Sequence, residues 1–524
     1  MGTPSTTLSI HHTHSTGGRM RLGIAVGSAC LDLALMHGDT VLASSKCPTT
    51  GLLTSDLRTS LDSLPHLREY PVDSITVSAG WLTDAVRAGL GLAPIAALRL
   101  TQSGGHALGP FTGWPAALRA AVDCGSAVLT GGHDLAMRQL APLDNDAIAR
   151  FATTAAARGA RGIAITASSS PAAPEHELVA AGIISSQVPG LPITLSHEIA
   201  GLGLLERENT ALLNAALRPL AERSIDELRD VLNDYGLTAP LMFARHDATL
   251  CNAERLRRFP VTALESGAAV ALRGAAVLAG TNRAMVMEIG ARSSRIGFVE
   301  NGRPLLTRHS EGMQVPGLRV ALQLPRTLST PIGGARTIDC RTGELLDAHN
   351  PPVSIGGGPS ETVFDAAVFL GLATAPNRVQ MSALAARKAV RTATEQLRRL
   401  AAGVAGDRTP IVVVGPAADL GPAITGLDVT LPDHASCAPA IGAAMAEPAA
   451  EVERVVVTGN RTDLDRSLTL ATEQAMAGVI SAGADPAGVE VTESSATHIS
   501  YLPGSVFRLR VRATGRIEQS GGRR

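Results

Sequence analysis

Aromatic rings are nearly missing from this chain: Phe, Tyr and Trp together make up 2% of its 524 residues, with two tryptophans in all. Its core must therefore be Ala, Val, Leu and Ile packed close, and stacking platforms for bases or sugars are hard to assemble. Lysine is scarcer still. Only Lys46 and Lys388 occur, so almost every cation is an arginine. Neither sign of charge dominates: 46 basic against 47 acidic residues leave a net charge of −1. That balance argues against a nucleic-acid groove and against a membrane surface, both of which need a cationic excess. No unbroken apolar run reaches the roughly 20 residues of a membrane span. The six cysteines (Cys30, Cys47, Cys124, Cys251, Cys340 and Cys437) form no Cys-x-x-Cys pair and no zinc-finger spacing. Buried free thiols in a reducing cytoplasm are the expectation. Residues 1–19 are rich in Ser, Thr, Gly and His without an apolar centre. They read as a disordered leader, not as a secretory signal.

What remains is a chain that is 45% hydrophobic and long enough for two or three domains. Strand-like runs alternate with helix-like ones, the grammar of an α/β layered fold. Arg21 to Val26, Leu31 to Met36 and Val41 to Ser45 read as a meander with glycine at its turns. Ala284 to Ile289 and Arg295 to Glu300, around Gly290, repeat that hairpin half a chain later. Asp144 is placed to cap a helix running to Ala157. A helix from Glu206 to Arg218 should stop at Pro219, which lacks the N–H that the preceding turn requires. The segment Cys437 to Met445 is so poor in bulk that its backbone must sit close to something.

Several residues have the chemistry of a site. His133 with Asp134, His197 with Glu198, and His246 with Asp247 each follow a strand-like run. A histidine beside a carboxylate at a strand end suits general base work or metal ligation. Any one of them is more often a capping or surface pair, and no i, i+4 histidine spacing fixes a metal, so the metal is unknown. Arg292 and Arg295 either form a fork for a carboxylate or phosphate, or pair with Glu288, Asp32 or another lobe residue, or point to solvent. The run Glu206-Arg207-Glu208, with Asn214, sits on an otherwise Leu/Ala helix and is expected to be buried, with the arginine paired to a carboxylate.

From Met20 to Arg516 the chain resembles the hydantoinase/oxoprolinase family (hydantoinase A-type subunits), part of the actin, sugar-kinase and Hsp70 superfamily. Leu195-Ser-His-Glu-Ile and Glu206-Arg-Glu-Asn-Thr carry the resemblance, with Thr130-Gly-Gly-His, Glu265-Ser-Gly-Ala-Ala and Tyr501-Leu-Pro-Gly. It implies two actin-like (ribonuclease H-like) lobes around a central cleft with a short C-terminal α/β extension. The expected bounds are 20–195 for the first lobe, 196–449 for the second and 450–524 for the extension. It also implies a cofactor site for ATP and Mg²⁺ between two phosphate loops, where Gly23, Gly27, Asp32, Glu288, Gly290, Arg292 and Arg295 stand. Gly357 and Gly415 fall where the family has further glycine loops.

Both loops depart from the family pattern. Gly-Ile-Asp-Val-Gly-Gly-Thr becomes Gly23-Ile-Ala-Val-Gly-Ser-Ala, and Asp-Ile-Gly-Gly-Thr-Thr-Thr-Asp becomes Glu288-Ile-Gly-Ala-Arg-Ser-Ser-Arg. Ala25 removes a carboxylate that would hold hydrated Mg²⁺, and Pro416 removes a backbone donor. An enzyme of small amides, cyclic amides or carboxylates with lost or reduced ATP dependence is one expectation. A silent scaffold or regulatory subunit, in a homo-oligomer or beside a second subunit, is another. An ordinary ATP-dependent cyclic amide hydrolase is the third.

Overall fold

Three sheets carry the fold, each over its own core. The computed structural model describes all residues except 1–4, 9–18, 65–66, 68–69, 103–107, 200, 308–312, 316, 350–357, 359, 376–378, 405–408, 501–504 and 518–524. The largest sheet orders ten strands as Ser5–Leu8, Thr40–Pro48, Cys30–His37, Met20–Val26, Ser74–Ala79, Leu241–Ala244, Thr249–Asn252, Glu447–Val457, Val506–Thr514 and Glu490–His498. Both faces of its centre are covered. Leu22, Ile24, Leu33, Ile75, Val77 and Phe243 point into a core shared with the long helix Leu204–Asp234. Ala25, Ala34 and Met36 point the other way, onto the helix Ala438–Ala444.

The second sheet is built on Arg283–Ile289, Ser294–Glu300 and Ile411–Val414, with shorter strands at its edges. Met285, Met287, Ile296, Val412 and Val413 pack there beneath the helix Ala383–Ala402. The third sheet is wholly parallel: Asp123–Thr130, Ile95–Thr101, Ile163–Ala167 and Ile193–Leu195. Helices Asn145–Ala157 and Glu175–Gln187 pack against it through Ile148 and Ile184. Asp144 caps the first of these, accepting from Ala147 N–H at 2.8 Å.

Four expectations need correction. Ser5–Leu8, inside the stretch read as a structureless leader, pairs antiparallel with Thr40–Pro48, whose outer backbone groups need partners. Sheet membership cuts across the bounds at 195/196 and 449/450. Leu241–Ala244 and Thr249–Asn252 complete the first sheet, and Glu447–Val457 joins it beside Thr249–Asn252. The helix does not stop at Pro219 but runs unbroken from Leu204 to Asp234. Apolar residues on both sides of the proline, Leu213 and Leu217 before it and Ile225 and Leu228 after it, lie in one core. Ala93 N–H also takes the Ala216 carbonyl at 2.9 Å, so burial on both sides outweighs the bond that proline removes.

The fourth concerns Arg207, which is buried as expected but, among the described residues, pairs with no carboxylate. Its guanidinium donates to Ser196 Oγ at 2.9 Å and to the backbone oxygens of Gly201, Leu202 and Ala167. Glu208 is the ionic partner of Arg99 instead, with Arg99 Nε donating to its Oε1 at 2.8 Å. Asn214 is buried too and donates to the Arg258 carbonyl at 3.0 Å. Glu206 is half-buried.

The small-residue segment behaves as anticipated. Ala438–Ala444 crosses the helix Ser266–Leu278 so closely that a Cβ on Gly442 would lie 1.9 Å from Val270 O, and one on Gly274 1.9 Å from Ala438 O. Pro260–Leu278 is the one described stretch long and apolar enough to cross a membrane by composition, and it is mostly buried inside the fold.

Candidate functional site

The two glycine hairpins are built alike and line one cavity. In the first, Ala25 lies opposite Asp32 and Gly27 N–H donates to Cys30 O at 2.9 Å. In the second, Glu288 lies opposite Arg295 and Gly290 N–H donates to Ser293 O at 3.1 Å. Each leading strand has a parallel neighbour, Ser74–Ala79 in one case and Ile411–Val414 in the other. Both turns face a cavity of about 830 Å³. The Ser28 and Ala291 substitutions carry no backbone strain, since neither residue has positive φ. Gly290 is demanded by close approach: a Cβ there would lie 2.4 Å from Ser293 O.

Each hairpin carries one carboxylate and a cation that holds it. Asp32 is paired by Lys46, which lies directly across from it on the third strand. Burial pushes the Asp32 carboxyl up and works against the Lys46 ammonium; their attraction opposes both, and it lifts the lysine above its ordinary value. Glu288 is paired by Arg295, with Nε to Oε2 at 3.0 Å. Arg295 also reaches Glu265 at 3.3 Å, and Glu265 in turn holds Arg87 from the helix Gly80–Ala88. Glu265 thus ties the second hairpin to a helix that follows the first sheet. It does so from a left-handed backbone with φ 56°, a conformation that costs free energy unless its surroundings hold it. Its N–H donates to Thr83 Oγ1 at 2.9 Å.

Of the expected cofactor residues, Gly27, Asp32, Glu288, Gly290, Arg292 and Arg295 line the cavity. Gly23 does not. It is buried where a Cβ would lie 1.9 Å from Ala440 O, so its glycine serves helix packing. Gly415 also lies off the lining, at φ 104° and against the Ile289 backbone, while Pro416 reaches the cavity. Gly357 lies outside the described residues. Gly333 and Gly334 buttress the second hairpin, with Gly334 N–H donating to Gly290 O at 2.9 Å.

None of the three histidine–carboxylate pairs lies on this cavity. His133 and Asp134 sit past the C-terminal end of the edge strand Asp123–Thr130. Asp134 caps a turn, accepting from the N–H groups of Ala136 and Arg138 at 2.9 Å each. The His133 ring lies 4.3 Å from that of His176. Asp247 is bound by Arg512 at 2.7 Å and by Thr249, while His246 Nδ1 donates to Gln323 O at 2.7 Å. Burial alone would raise the Asp247 carboxyl; Arg245, Arg512 and His246 instead hold it far below the carboxylate range. Burial lowers the His246 pKa. Glu198 pairs with Arg258. Among the described residues, no group of three or more His, Cys, Asp or Glu is placed to hold a metal ion.

His197 belongs to a buried knot centred on Glu177. Glu177 accepts from His197 Nδ1 at 2.7 Å, Ser196 Oγ at 2.5 Å and Ala167 N–H at 2.8 Å. Burial would raise this carboxyl, but hydrogen bonds from His197 and Ser196 override it and set the pKa below the usual glutamate value. Stability from a depressed carboxyl is complete above the unfolded pKa of about 4.3 and is lost as pH falls through the folded one. Acid unfolding is therefore expected to be steeper in the parent than in Glu177→Gln. Parallel acid limbs in a thermal-unfolding series would refute this.

Sequence reasoning missed Lys46, Trp81, Asp84 and Arg87 as cavity residues. One signal was present: Lys46 is one of two lysines and Trp81 one of two tryptophans in the chain.

Comparison with known proteins agrees with this architecture. A profile of the hydantoinase/oxoprolinase family matches residues 207–419, and one of the hydantoinase/oxoprolinase N-terminal region matches residues 21–188. Caprolactamase subunit alpha of Pseudomonas jessenii is 25% identical over 247 residues, 44% of this chain and 35% of that one. An uncharacterised protein of Methanocaldococcus jannaschii is 24% identical over 219 residues, 38% of this chain and 32% of that one. The match thus spans about a third of each curated relative's length. In structure, the ATP-dependent caprolactamase of Pseudomonas jessenii superposes with TM-score 0.72 at 16% identity, over 95% of this chain and 88% of that one. Nucleotide-free acetone carboxylase gives 0.68 at 15%, over 96% and 89%. These likenesses establish the α/β fold with actin-like lobes around a cleft. With both profiles matched in order along the chain, it belongs to the hydantoinase/oxoprolinase family.

Proposed function

We propose that this chain acts on a small amide, cyclic amide or carboxylate bound in the cleft, as a hydrolase with lost or reduced dependence on ATP. The substrate class is supported by family membership and by a relative named for its action on caprolactam. The ATP reading rests on one observation: the hairpin carboxylates are already neutralised from within. Hydrated Mg²⁺ needs free oxygen ligands. Ala25 offers none, Lys46 holds Asp32, and Arg295 stands beside Glu288 as an ion pair, with Glu288 Oε2 making no hydrogen bond. With one position bare and each carboxylate beside a cation, these residues do not fit the metal. The six cysteines are all free, which supports a reducing compartment such as the cytoplasm.

A second reading is a regulatory or scaffold subunit that pairs with another protein. It is supported by the matched relative being named as a subunit. The test is calorimetry with Mg-ATP beside a phosphate-release assay, followed by a screen of cyclic amides with and without ATP. The expected result is ring opening that ATP does not accelerate, with no magnesium-dependent phosphate release. Micromolar Mg-ATP binding with turnover near about 1 per second, the low end of ordinary enzymes, would return the chain to the ATP-dependent class. Silence toward every amide, together with a stoichiometric partner, would favour the subunit reading.

A further inference from the structure

Charge in the cleft is almost entirely spent on itself. Lys46 and Asp32 consume one another, and Arg87, Arg295, Glu265 and Glu288 form a second closed group. Asp56, also on the lining, accepts from Thr50 N–H at 2.9 Å, Thr50 Oγ1 at 2.7 Å and Gly51 N–H at 3.2 Å. Two charged side chains on the lining are left over. Among the described residues, Asp84 and Arg292 make no hydrogen bond and no ion pair, and Arg292 is exposed. Burial raises the Asp84 carboxyl, and the charges of Arg87, Arg292 and Arg295 oppose that. Asp84 comes from the helix Gly80–Ala88 beside the first hairpin, and Arg292 from the turn of the second.

A third group stands with them. The indole Nε1 of Trp81 is buried on the same lining without a hydrogen-bond partner, as are Ser78 Oγ and Glu288 Oε2. An unpaired buried donor is costly, so an orphan of this kind marks a place where a ligand acceptor belongs. Trp81 and Asp84 are three residues apart on one helix and share a face.

We propose that Asp84, Arg292 and the indole N–H of Trp81 form the recognition edge for a cis secondary amide, the C=O and N–H of a lactam or hydantoin ring. Asp84 accepts from the ring N–H; Arg292 and Trp81 donate to the ring carbonyl. The proposal rests on reading the cleft as the place where a small amide binds, and it names the edge that is read. A lone carboxylate would suit Arg292 but be repelled by Asp84, and a lone ammonium would meet the reverse. A neutral ligand with a donor beside an acceptor satisfies both. A small ring imposes that arrangement, whereas an open-chain secondary amide is trans and turns its N–H and C=O to opposite sides. Its cis form is rare enough to cost on the order of a hundredfold in affinity.

The scarcity of tryptophan supplies the probe. Titrating the full-length protein with pyrrolidinone and with hydantoin is expected to change tryptophan fluorescence saturably, and Trp81→Phe is expected to remove that signal. N-methylpyrrolidinone and open-chain N-methylacetamide should bind at least about tenfold more weakly, the loss of one hydrogen bond to a charged group. Asp84→Ala and Arg292→Ala should each weaken ring binding by about ten- to a hundredfold. Neither should shift the melting temperature by much, because among the described residues neither side chain has a hydrogen bond or ion pair to lose. Asp84→Asn, which keeps an acceptor, should lose less than Asp84→Ala. Equal affinity for the N-methylated ring, or unchanged affinity in either alanine variant, overturns the proposal. If the parent opens cyclic amides while both alanine variants keep its KM, the hydrolase reading stands and this edge is wrong. If rings bind with the stated selectivity but none is opened, the edge stands and the hydrolase reading falls.

Discussion

Arg207→Met is expected to cost about 3–5 kcal/mol, the range for breaking a buried charged group out of its network. The guanidinium is fully buried and donates to four acceptors. These are Ser196 Oγ at 2.9 Å, Gly201 O at 3.2 Å, Leu202 O at 3.0 Å and Ala167 O at 2.6 Å. Methionine fills much of the same volume, so the loss is one of hydrogen bonding and not of packing. Each acceptor left dry costs about 1–3 kcal/mol, and water or relaxation recovers part of it. Among the described residues the charge has no contacting carboxylate; it reaches Glu177 through Ser196, whose hydroxyl donates to Glu177 Oε1. Arg207→Lys keeps the charge but cannot fork to four acceptors in fixed directions, so it should lie between parent and methionine. Chemical denaturation of the three proteins checks this order. A methionine variant within about 1 kcal/mol of the parent, a typical surface-scale effect, would show that the knot is not a stability centre.

That knot also marks where sequence reasoning ends. Burial of Arg207 and Glu208 could be read from charged residues interrupting a Leu/Ala helix. Their partners could not, because Arg99 lies 109 positions away and the carbonyls of Ala167 and Gly201 have no sequence signature. The hairpins were legible because glycine turns between alternating apolar strands leave few alternatives. The neutralisation of Asp32 was not, since Lys46 meets it only once the third strand sets its register. Pro219 misled because a local rule met a tertiary core. Apolar residues before and after it had to face the same interior, and their burial outweighed one missing bond. The histidine pairs misled differently. Their residue types suit catalysis, yet here Asp134 caps a turn, Asp247 meets Arg512 and His197 completes the Glu177 knot.

Gly442→Ala should be nearly as damaging as the loss of Arg207, and for a purely steric reason. The added Cβ would lie 1.9 Å from Val270 O and 2.6 Å from Gly274 N, both backbone atoms that no rotamer change can move. The helices Ala438–Ala444 and Ser266–Leu278 would have to separate. Overpacking of this kind costs about 3 kcal/mol or somewhat more when backbone must shift. Separation would also reach the cleft, because Glu265, Gly267 and Pro439 line it at the starts of those two helices. The Glu265 bridge between Arg87 and Arg295 should therefore loosen before the protein unfolds. The same substitution at Gly182 is the control. That glycine is exposed inside the helix Glu175–Gln187, with nothing within 4 Å of its ideal Cβ. Alanine there should stabilise by about 0.5–1 kcal/mol through helix propensity alone. Opposite signs for one chemical change at two glycines are thus expected from thermal and denaturant unfolding. A Gly442→Ala protein as stable as the parent would mean that the helix crossing is looser than its contacts require.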